Sequence, residues 1–191
     1  MYIYILDDDP DVICAITAMV EALGHDVTSF TSPKVFLENI SRMEMGCIIL
    51  DYYMPDMNGL EVQKSLLKLR SMHPILLLTG VGNIPEAMAA TRAGAVDCLR
   101  KPPTLAALKA ALGRAEEQLS EARKLRTFGS LSGREREVLR AIGLGKSSKI
   151  IAYDLGISIR TVDMHRGNLL NKLNASNAGE AVFLAQKHNL I

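Results

Sequence analysis

The sequence predicts an α/β domain, a doubly wound (βα)5 parallel sheet, followed by an all-α domain of four helices. Through the first 126 residues, short apolar runs alternate with helical patterns, which is typical of a parallel sheet with helices on both faces. From Ser132 onward the pattern becomes purely helical. At 191 residues and 48% hydrophobic, the chain is long enough for one domain of about 120 residues and a second small one.

Five apolar runs are predicted to be the strands, at residues 2–6, 26–30, 47–50, 75–78 and 96–99. The third and fourth runs are continuously apolar, as expected of central strands that are covered on both faces. The second run alternates between apolar and polar residues, which indicates a more exposed edge strand.

The helices of the first domain are predicted at residues 10–23, 32–40, 60–70 and 84–93, with a fifth from Thr104 onward. Pro10 opens the first helix, and Gly24 and Gly94 stand just past the first and fourth, which matches the preference for Pro at helix starts and Gly at helix ends.

The fifth helical pattern continues beyond the length that a compact domain needs. Its apolar residues repeat at spacings of three and four, as Leu105, Leu108, Leu112, Ala115, Leu119 and Ala122. Two interpretations stay open: a short coiled-coil seam, or a helix that packs its first half on the sheet and bridges solvent with its second half. We expect a break at residues 127–130.

The second domain is predicted to contain helices at residues 134–144, 147–155, 158–173 and 176–188. Ser147 and Ser158 are placed as N-caps, and Gly156 can supply a tight turn between the middle two helices. This is a helix, turn, helix unit. The third helix has an apolar side and a polar, basic side, the latter formed by Arg160, Thr161, Met164, Asn168, Asn171 and Lys172.

Charge is distributed unevenly along the chain. Residues 1–115 hold 13 Asp and Glu against 10 Lys and Arg, whereas residues 131–191 hold 9 Lys and Arg against 5 Asp and Glu. A small basic domain joined to a larger acidic one is typical of a nucleic-acid-binding protein under separate control.

Several classes of protein are disfavoured. No secretion signal and no apolar run of membrane-spanning length is visible, so we expect a cytoplasmic protein. Cys14, Cys47 and Cys98 lie in apolar patterns without CxxC spacing, so we expect buried, reduced thiols. The four histidines are scattered, which argues against a histidine-based metal site.

Polar residues follow four of the predicted strands: Asp7 and Asp8, Asp51, Thr79 and Lys101. The carboxyl ends of parallel strands meet at one edge of the sheet, so we expect these side chains to lie together. Three clustered carboxylates repel one another unless a cation lies among them, and oxygen ligands favour Mg²⁺ or Mn²⁺. A carboxylate nucleophile, a metal and cationic or hydroxyl donors are the groups that phosphoryl transfer requires. Asp51 is the best nucleophile candidate, with Asp7 and Asp8 as metal ligands.

These residues, with Met54-Pro55 and Asn58-Gly59 after Asp51, Gly80 after Thr79 and Pro102 after Lys101, resemble the receiver domain of bacterial response regulators over residues 1–118. The resemblance implies a flavodoxin-like fold in which Asp51 accepts phosphate from a sensor histidine kinase. It implies Mg²⁺ bound by Asp8, Asp51 and the backbone carbonyl of Tyr53, and Lys101 paired with the phosphoryl group. It also implies that Thr79 turns toward the phosphate and that the Lys101-Pro102 peptide is cis.

One position departs from the family pattern. Receivers usually carry Phe or Tyr three residues before the lysine, as a ring that moves inward with the threonine, and here Cys98 takes its place. The thiol is smaller than a ring, so the switch is weaker, uses a different surface group, or is replaced by constant activity. The chemistry of the phosphoryl site is untouched.

Residues 131–191 resemble the LuxR-type helix-turn-helix domain of FixJ-like and NarL-like transcription factors, through the segments Leu131–Leu139, Lys149–Ala152, Gly156–Val162 and His165–Leu173. Residues 119–130 would be a helical linker. The third helix would enter the major groove. The expected DNA contacts are Lys149, Arg160, Thr161, Met164, His165, Asn168 and Lys172.

Two further residues of this helix have competing interpretations. Asp163, where many relatives place lysine, either accepts a hydrogen bond from a cytosine or merely caps and repels. Arg166 points toward the apolar side, so we predict an ion pair with Glu135 or Glu137 rather than a DNA contact.

The function that follows is a two-component transcription regulator and not an enzyme. Phosphorylation of Asp51 would promote a homodimer that binds paired promoter half-sites. One alternative is a DNA-binding regulator whose receiver works without phosphorylation because of Cys98. Another, an aspartate-based phosphatase, lacks a general acid because Tyr53 occupies that position.

Overall fold

The computed structural model describes residues 1–80, 92–188 and 191, which divide into two units, Met1–Ala122 and Arg123–Ile191. The predicted helix at residues 84–93 falls almost wholly outside the described residues and stays a prediction. None of the described helices is both long and apolar enough to cross a membrane.

The sheet of the first unit has five parallel strands in the order β2-β1-β3-β4-β5. The strands are β1 Tyr2–Leu6, β2 Asp26–Phe30, β3 Cys47–Asp51, β4 Ile75–Thr79 and β5 Asp97–Arg100. The prediction of a parallel α/β sheet with β2 at an edge is confirmed. From β1 the strand order proceeds to β2 on one side and to β3, β4 and β5 on the other, so the switch point lies between β1 and β3. Such a switch point opens a crevice at the carboxyl ends of the strands.

Helices cover both faces of this sheet. They are α1 Pro10–Ala22, α2 Pro33–Asn39 with a 3-10 turn at Ile40–Arg42, α3 Gly59–Lys68 and α4 Leu105–Gly129. Alternate strand residues point to opposite faces. One face packs against α1 and α4, and the other against α2 and α3. Buried apolar strands held from both sides give the carboxyl edge a rigid base.

The first half of helix α4 packs as the second of the two interpretations predicts, whereas Leu119 and Ala122 of its second half are also buried, so the expectation that this half bridges solvent does not hold for them. Leu108, Leu112 and Ala115 are fully buried or nearly so in the cluster that includes the sheet, so the first half of the helix packs on β-structure. The predicted break at residues 127–130 is wrong for its first three positions, because the helix continues to Gly129. A β-branched residue and a glycine cost a helix at most about 1 kcal/mol each, which does not stop a long run of strong helix formers.

After the end of α4, the described part of the second unit contains four helices: α5 Gly133–Gly143, α6 Ser148–Leu155, α7 Ile159–Leu173 and α8 Ala178–Lys187. Ser147 and Ser158 cap α6 and α7 as predicted, each accepting a backbone N–H three residues on. Gly156 ends α6 in the left-handed region at φ 65°, which glycine adopts without strain. A capping box between Ser132 and Glu135 opens α5.

The prediction of three buried thiols holds only in part. Cys47 is buried, Cys98 is half-buried, and Cys14 is exposed on α1. Helix α1 turns the side that carries Ile16 and Val20 toward the sheet, which leaves Cys14 facing solvent.

Candidate functional site

The carboxyl ends of β1, β3, β4 and β5 bring the predicted phosphoryl-site residues to one edge. Asp7 and Asp8 directly follow β1, Asp51 and Thr79 end β3 and β4, and Lys101 follows β5. The edge is also tied by the backbone, because the Lys101 N–H donates to the Thr79 carbonyl at 2.7 Å. The parallel register therefore gathers side chains that lie far apart in sequence.

Lys101 bridges two buried carboxylates. Its Nζ lies 2.5 Å from Asp7 Oδ2 and 2.7 Å from Asp51 Oδ1. Asp7 is fully buried and Asp51 is 4% exposed, whereas the lysine side chain keeps 21% of its surface in solvent. The other oxygen of Asp7 accepts the backbone N–H of Asp9 at 3.0 Å. Asp7 is thus held from both sides.

Asp8 completes a group of three carboxylates. Asp7, Asp8 and Asp51 each offer an oxygen, and these oxygens lie within 4.8 Å of one another. Asp8 is exposed, so the group opens to solvent on one side. Lys101 pairs with two of these three carboxylates, which leaves an excess of negative charge among the described residues of the group, and hard oxygen donors suit Mg²⁺. The acidic pocket is therefore compatible with a divalent cation.

Burial and neighbouring charge change the proton affinities of the bridged pair. Burial raises the pKa of Asp51, and the negative charge of Asp7 adds to that increase, while Lys101 and the Tyr53 backbone N–H oppose it. Burial alone would lower the pKa of Lys101, but its bonds to the two carboxylates outweigh this effect and raise it. Lys101 consequently stays charged, and Asp51 is more basic than an ordinary aspartate.

Thr79 and Tyr53 lie at the rim of this group. Thr79 is 7% exposed, and its hydroxyl donates to the Gly80 carbonyl at 3.5 Å, the long limit of a hydrogen bond. Asp51 pairs in register with Leu78, so Thr79 follows on the adjacent strand. The Tyr53 ring is half exposed and packs edge-to-face on Tyr52 at 4.8 Å. The Thr79 hydroxyl can exchange this long hydrogen bond for another partner at low cost.

The turn after Asp51 is held tightly against the strand. Asn58 and Glu61 form a capping box at the start of α3, and the Gly59 N–H donates to the Tyr52 carbonyl at 2.9 Å. A Cβ on Gly59 would lie 2.6 Å from the Asp51 carbonyl oxygen. The sequence shows the Asn-Gly pair, but the need for glycine at this close approach becomes visible only in the structure.

Cys98 and the Lys101-Pro102 peptide lie in and just after β5. The Cys98 side chain is half-buried against the cluster that contains α2 and α3, and its backbone N–H donates to Asp97 Oδ1 at 2.9 Å. The Lys101-Pro102 peptide bond is cis, as predicted.

The second unit presents most of the predicted nucleic-acid contacts on its surface. Lys149 on α6 is exposed, as are Arg160, Met164 and Asn168 on α7, with Met164 at 54%. Thr161 and His165 are half-buried, and the Thr161 hydroxyl lies 2.8 Å from that of Ser158. Apart from Met164, these predicted contacts are cationic or polar, a composition that suits contact with phosphates and base edges.

Lys172 differs from the other predicted contacts. Its Nζ lies 2.8 Å from Oε2 of Glu135, which is 3% exposed, and donates to the Ser130 carbonyl at 3.3 Å. The bonds to Lys172 and Ser132 outweigh the opposing effect of burial and lower the pKa of Glu135. The ammonium therefore already neutralises a buried charge inside the unit.

The predicted ion pair of Arg166 with Glu135 or Glu137 is wrong. Glu135 is bound by Ser132 and Lys172, and Glu137 pairs with Arg134 at 2.8 Å. Arg166 instead donates to the hydroxyl of Ser148 at 3.1 Å. This partner lies on the neighbouring helix α6, and sequence spacing could not reveal it.

Two family models match the chain. The response regulator receiver domain matches residues 3–113, and the model for bacterial regulatory proteins of the luxR family matches residues 129–185. The first ends shortly after the beginning of α4, and the second begins at its last residue.

Relatives are similar over nearly the whole chain. The response regulator protein TodT of Pseudomonas putida is 40% identical, covering 97% of this chain and 85% of the relative. The transcriptional regulatory protein FixJ of Azorhizobium caulinodans is 38% identical, covering 96% and 90%. The crystal structure of full-length FixJ from B. japonicum superposes with a TM-score of 0.61 at 34% identity, covering 100% of this chain and 98% of that one.

Proposed function

We propose, from the premise that this chain belongs to the response regulators with a receiver domain and a LuxR-type DNA-binding domain, that Asp51 is its phosphoacceptor. The protein is a phosphorylation-controlled transcriptional regulator. The observation that carries the assignment of Asp51 is the Lys101 ammonium at 2.7 Å from its carboxylate, inside a group of three acids.

Asp51 suits the nucleophile role better than its two acidic neighbours. Both oxygens of Asp7 already have partners, from Lys101 and from the Asp9 N–H, and its side chain has no exposed surface. Asp8 is exposed and follows the end of its strand, so less of the fold orients it. Asp51 ends a fully buried strand and has a raised pKa, which makes its carboxylate a better nucleophile.

The reaction assigned to Asp51 is an in-line transfer. A carboxylate oxygen forms a bond to phosphorus while the bond from phosphorus to the donor nitrogen of a phosphohistidine breaks, and the departing imidazole keeps that electron pair. The product is an acyl phosphate on Asp51. Lys101 stabilises the added negative charge, and the Thr79 hydroxyl can donate to a phosphoryl oxygen.

The acidic group fits a resident Mg²⁺. Asp8 and Asp51, with Asp7 beside them and the Tyr53 backbone carbonyl nearby in sequence, would supply the oxygen ligands. When bound, the cation would offset the charge of the phosphoryl oxygens. Asp7 contributes by holding Lys101, which keeps the ammonium between the two buried acids.

DNA binding is assigned to the surface formed by α6 and α7. The N-terminal half of α7 would enter the major groove with Arg160, Met164 and Asn168, while Lys149 would contact a phosphate. We further propose that phosphorylation promotes a homodimer on paired half-sites. Two linked domains raise the effective local concentration, so weakly binding monomers become a sharp switch.

Phosphorylation of Asp51 is tested by mass spectrometry of the intact chain after incubation with a small phosphodonor and Mg²⁺. We expect the wild type to gain the mass of one phosphoryl group and Asp51→Ala to gain none. Asp56→Ala, which removes an exposed acid from the same turn, is the matched control and should react as the wild type does. Equal phosphorylation of Asp51→Ala and the wild type would contradict the assignment.

A further inference from the structure

Ser148 connects two side chains of the neighbouring helix. Its hydroxyl donates to Asp163 Oδ1 at 3.0 Å and accepts from Arg166 Nη1 at 3.1 Å. A hydroxyl has one hydrogen and two lone pairs, so both bonds use its capacity correctly. Asp163 and Arg166 lie three residues apart and therefore on the same side of α7.

We propose that Ser148, Asp163 and Arg166 form a clamp between α6 and α7, and that Asp163 is a positioning residue for DNA recognition that does not itself contact a base. The inference deepens the proposed function, because it rests on α7 being the helix that enters the major groove. We call these three residues the Ser148 clamp.

The Ser148 clamp explains why an acidic residue, Asp163, lies on a surface that is expected to contact DNA phosphates. Asp163 is exposed, and a free carboxylate there would repel DNA. Its oxygen instead lies at the first turn of α6, where the helix dipole favours negative charge. Arg166, bound to the same hydroxyl, places a positive charge close to it.

The clamp complements the packing on the inner side of the two helices. Ile151 and Ala152 of α6 and Val162 of α7 belong to one buried cluster, which holds the helices together by apolar contacts that have no preferred direction. The Ser148 clamp is more exposed than this cluster, with Asp163 exposed and Ser148 and Arg166 half-buried. The directional hydrogen bonds of the clamp restrict the tilt of α7 more than apolar packing alone.

Small tilts matter for recognition. A helix of 15 residues is about 22 Å long, so a tilt of about 5° moves its far end by about 2 Å. Hydrogen bonds to base edges tolerate a spread of only about 0.5 Å in donor–acceptor distance. A loose α7 would therefore still meet phosphates but would discriminate poorly between bases.

The link between the helices is tested without DNA by hydrogen exchange and mass spectrometry on the full chain. Ser148→Ala should speed amide exchange in α7, and Asp163→Ala should speed it in α6. Asp163→Asn, which keeps an acceptor oxygen for Ser148, should exchange as the wild type does. Ser176→Ala removes a hydroxyl that donates to Glu180 at 2.6 Å outside these helices, and it should change neither. Effects confined to the substituted helix would overturn the clamp.

The role in recognition is tested by selecting binding sites from random DNA with the full chain treated with beryllofluoride and Mg²⁺. The ratio of affinities for the selected and a scrambled site should fall about fivefold in Ser148→Ala and in Asp163→Ala, the size of one typical net hydrogen bond. The double variant should lose no more than either single variant, because both remove the same link.

Two other outcomes are informative. A changed preference at one base pair in Asp163→Ala, with Ser148→Ala unchanged, would mean that Asp163 reads a base, and would overturn the positioning role. Failure of the wild type to select any sequence would overturn the proposed DNA binding instead. In that case the exchange measurement still decides whether the three residues link the helices.

Discussion

Lys101 Nζ lies 2.7 Å from Asp51 Oδ1, although the two residues stand on strands that are separated in the sheet by β4. The same ammonium reaches Asp7 on the far side of β3. One cation thus connects three of the five strand ends at the switch point of the sheet. At these strand ends, the charges of Lys101, a bound metal ion and an added phosphoryl group can compensate one another without a change of fold.

Stabilisation by Mg²⁺ should depend on pH. Because burial raises the pKa of Asp51, its ionised form opposes folding, and stability without a cation should fall as pH rises through that pKa. A cation needs the ionised form, so its stabilising effect should be lost as pH falls through the raised pKa of Asp51. At a concentration of 100 times its dissociation constant, the ion should add about 2.7 kcal/mol to the free energy of unfolding.

Thermal unfolding with and without Mg²⁺ measures this effect. Asp8→Asn should abolish the shift in melting temperature, and Asp56→Asn, with the same change of charge in an exposed position, should keep it. An equal shift in Asp8→Asn and the wild type would place the cation elsewhere.

Thr79→Ala should separate phosphorylation from its consequence. The hydroxyl is not the nucleophile, so the variant should still accept a phosphoryl group on Asp51. It should lose the phosphorylation-dependent gain in DNA affinity, which for allosteric couplings is about 5- to 150-fold. Thr79→Ser keeps the hydroxyl and should retain most of the gain. Titration of labelled DNA with phosphorylated and unphosphorylated protein gives the ratio, and a full gain in Thr79→Ala would rule out this role.

Lys172→Met should destabilise the second unit, because it leaves the buried Glu135 with only its capping partners. The expected loss is about 1–3 kcal/mol in the free energy of unfolding. Arg134→Met breaks an exposed pair with Glu137 and should cost no more than about 0.5 kcal/mol. Urea unfolding of the full chain, followed by circular dichroism, compares the two.

The contribution of Lys172 should also depend on pH. The pKa of Glu135 is lowered in the folded chain, so its stabilising effect is complete above the ordinary glutamate value of about 4.3 and is lost as pH falls through the lowered pKa. The difference between Lys172→Met and the wild type should shrink over the same range. A difference that is independent of pH would show that Lys172 acts through packing of its methylene groups.

Two glycine substitutions should have opposite effects on stability. Gly59→Ala places a Cβ 2.6 Å from the Asp51 carbonyl oxygen and 3.0 Å from Tyr52 Cα, and backbone atoms move at a cost of about 1–3 kcal/mol. Gly113→Ala, inside α4, meets no atom within 4 Å and should stabilise the protein by about 0.5–1 kcal/mol. Thermal unfolding distinguishes them. Only Gly59→Ala should also slow phosphorylation, because it displaces the end of β3.

Much of the fold was predictable because the information is local. The apolar runs for β1 and β2 match the observed strands residue for residue, and the N-caps Ser147 and Ser158 follow from side-chain chemistry within one turn. Helix ends were less certain. The end of α4 at Gly129 depends on whether a long run of strong helix formers outweighs the weak helix breakers near its end. The spacing of apolar residues alone does not predict this.

The sequence by itself determined which residue types stand at the carboxyl ends of the strands, and parallel topology then requires that Asp7, Asp51 and Lys101 meet. Only the tertiary structure decided how charges pair: Lys101 with both buried acids, Lys172 with Glu135, and Arg166 with Ser148. The reason is physical. Secondary structure depends on neighbours along the chain, whereas the partner of a long charged side chain is set by differences of an ångström or two in how helices and strands pack.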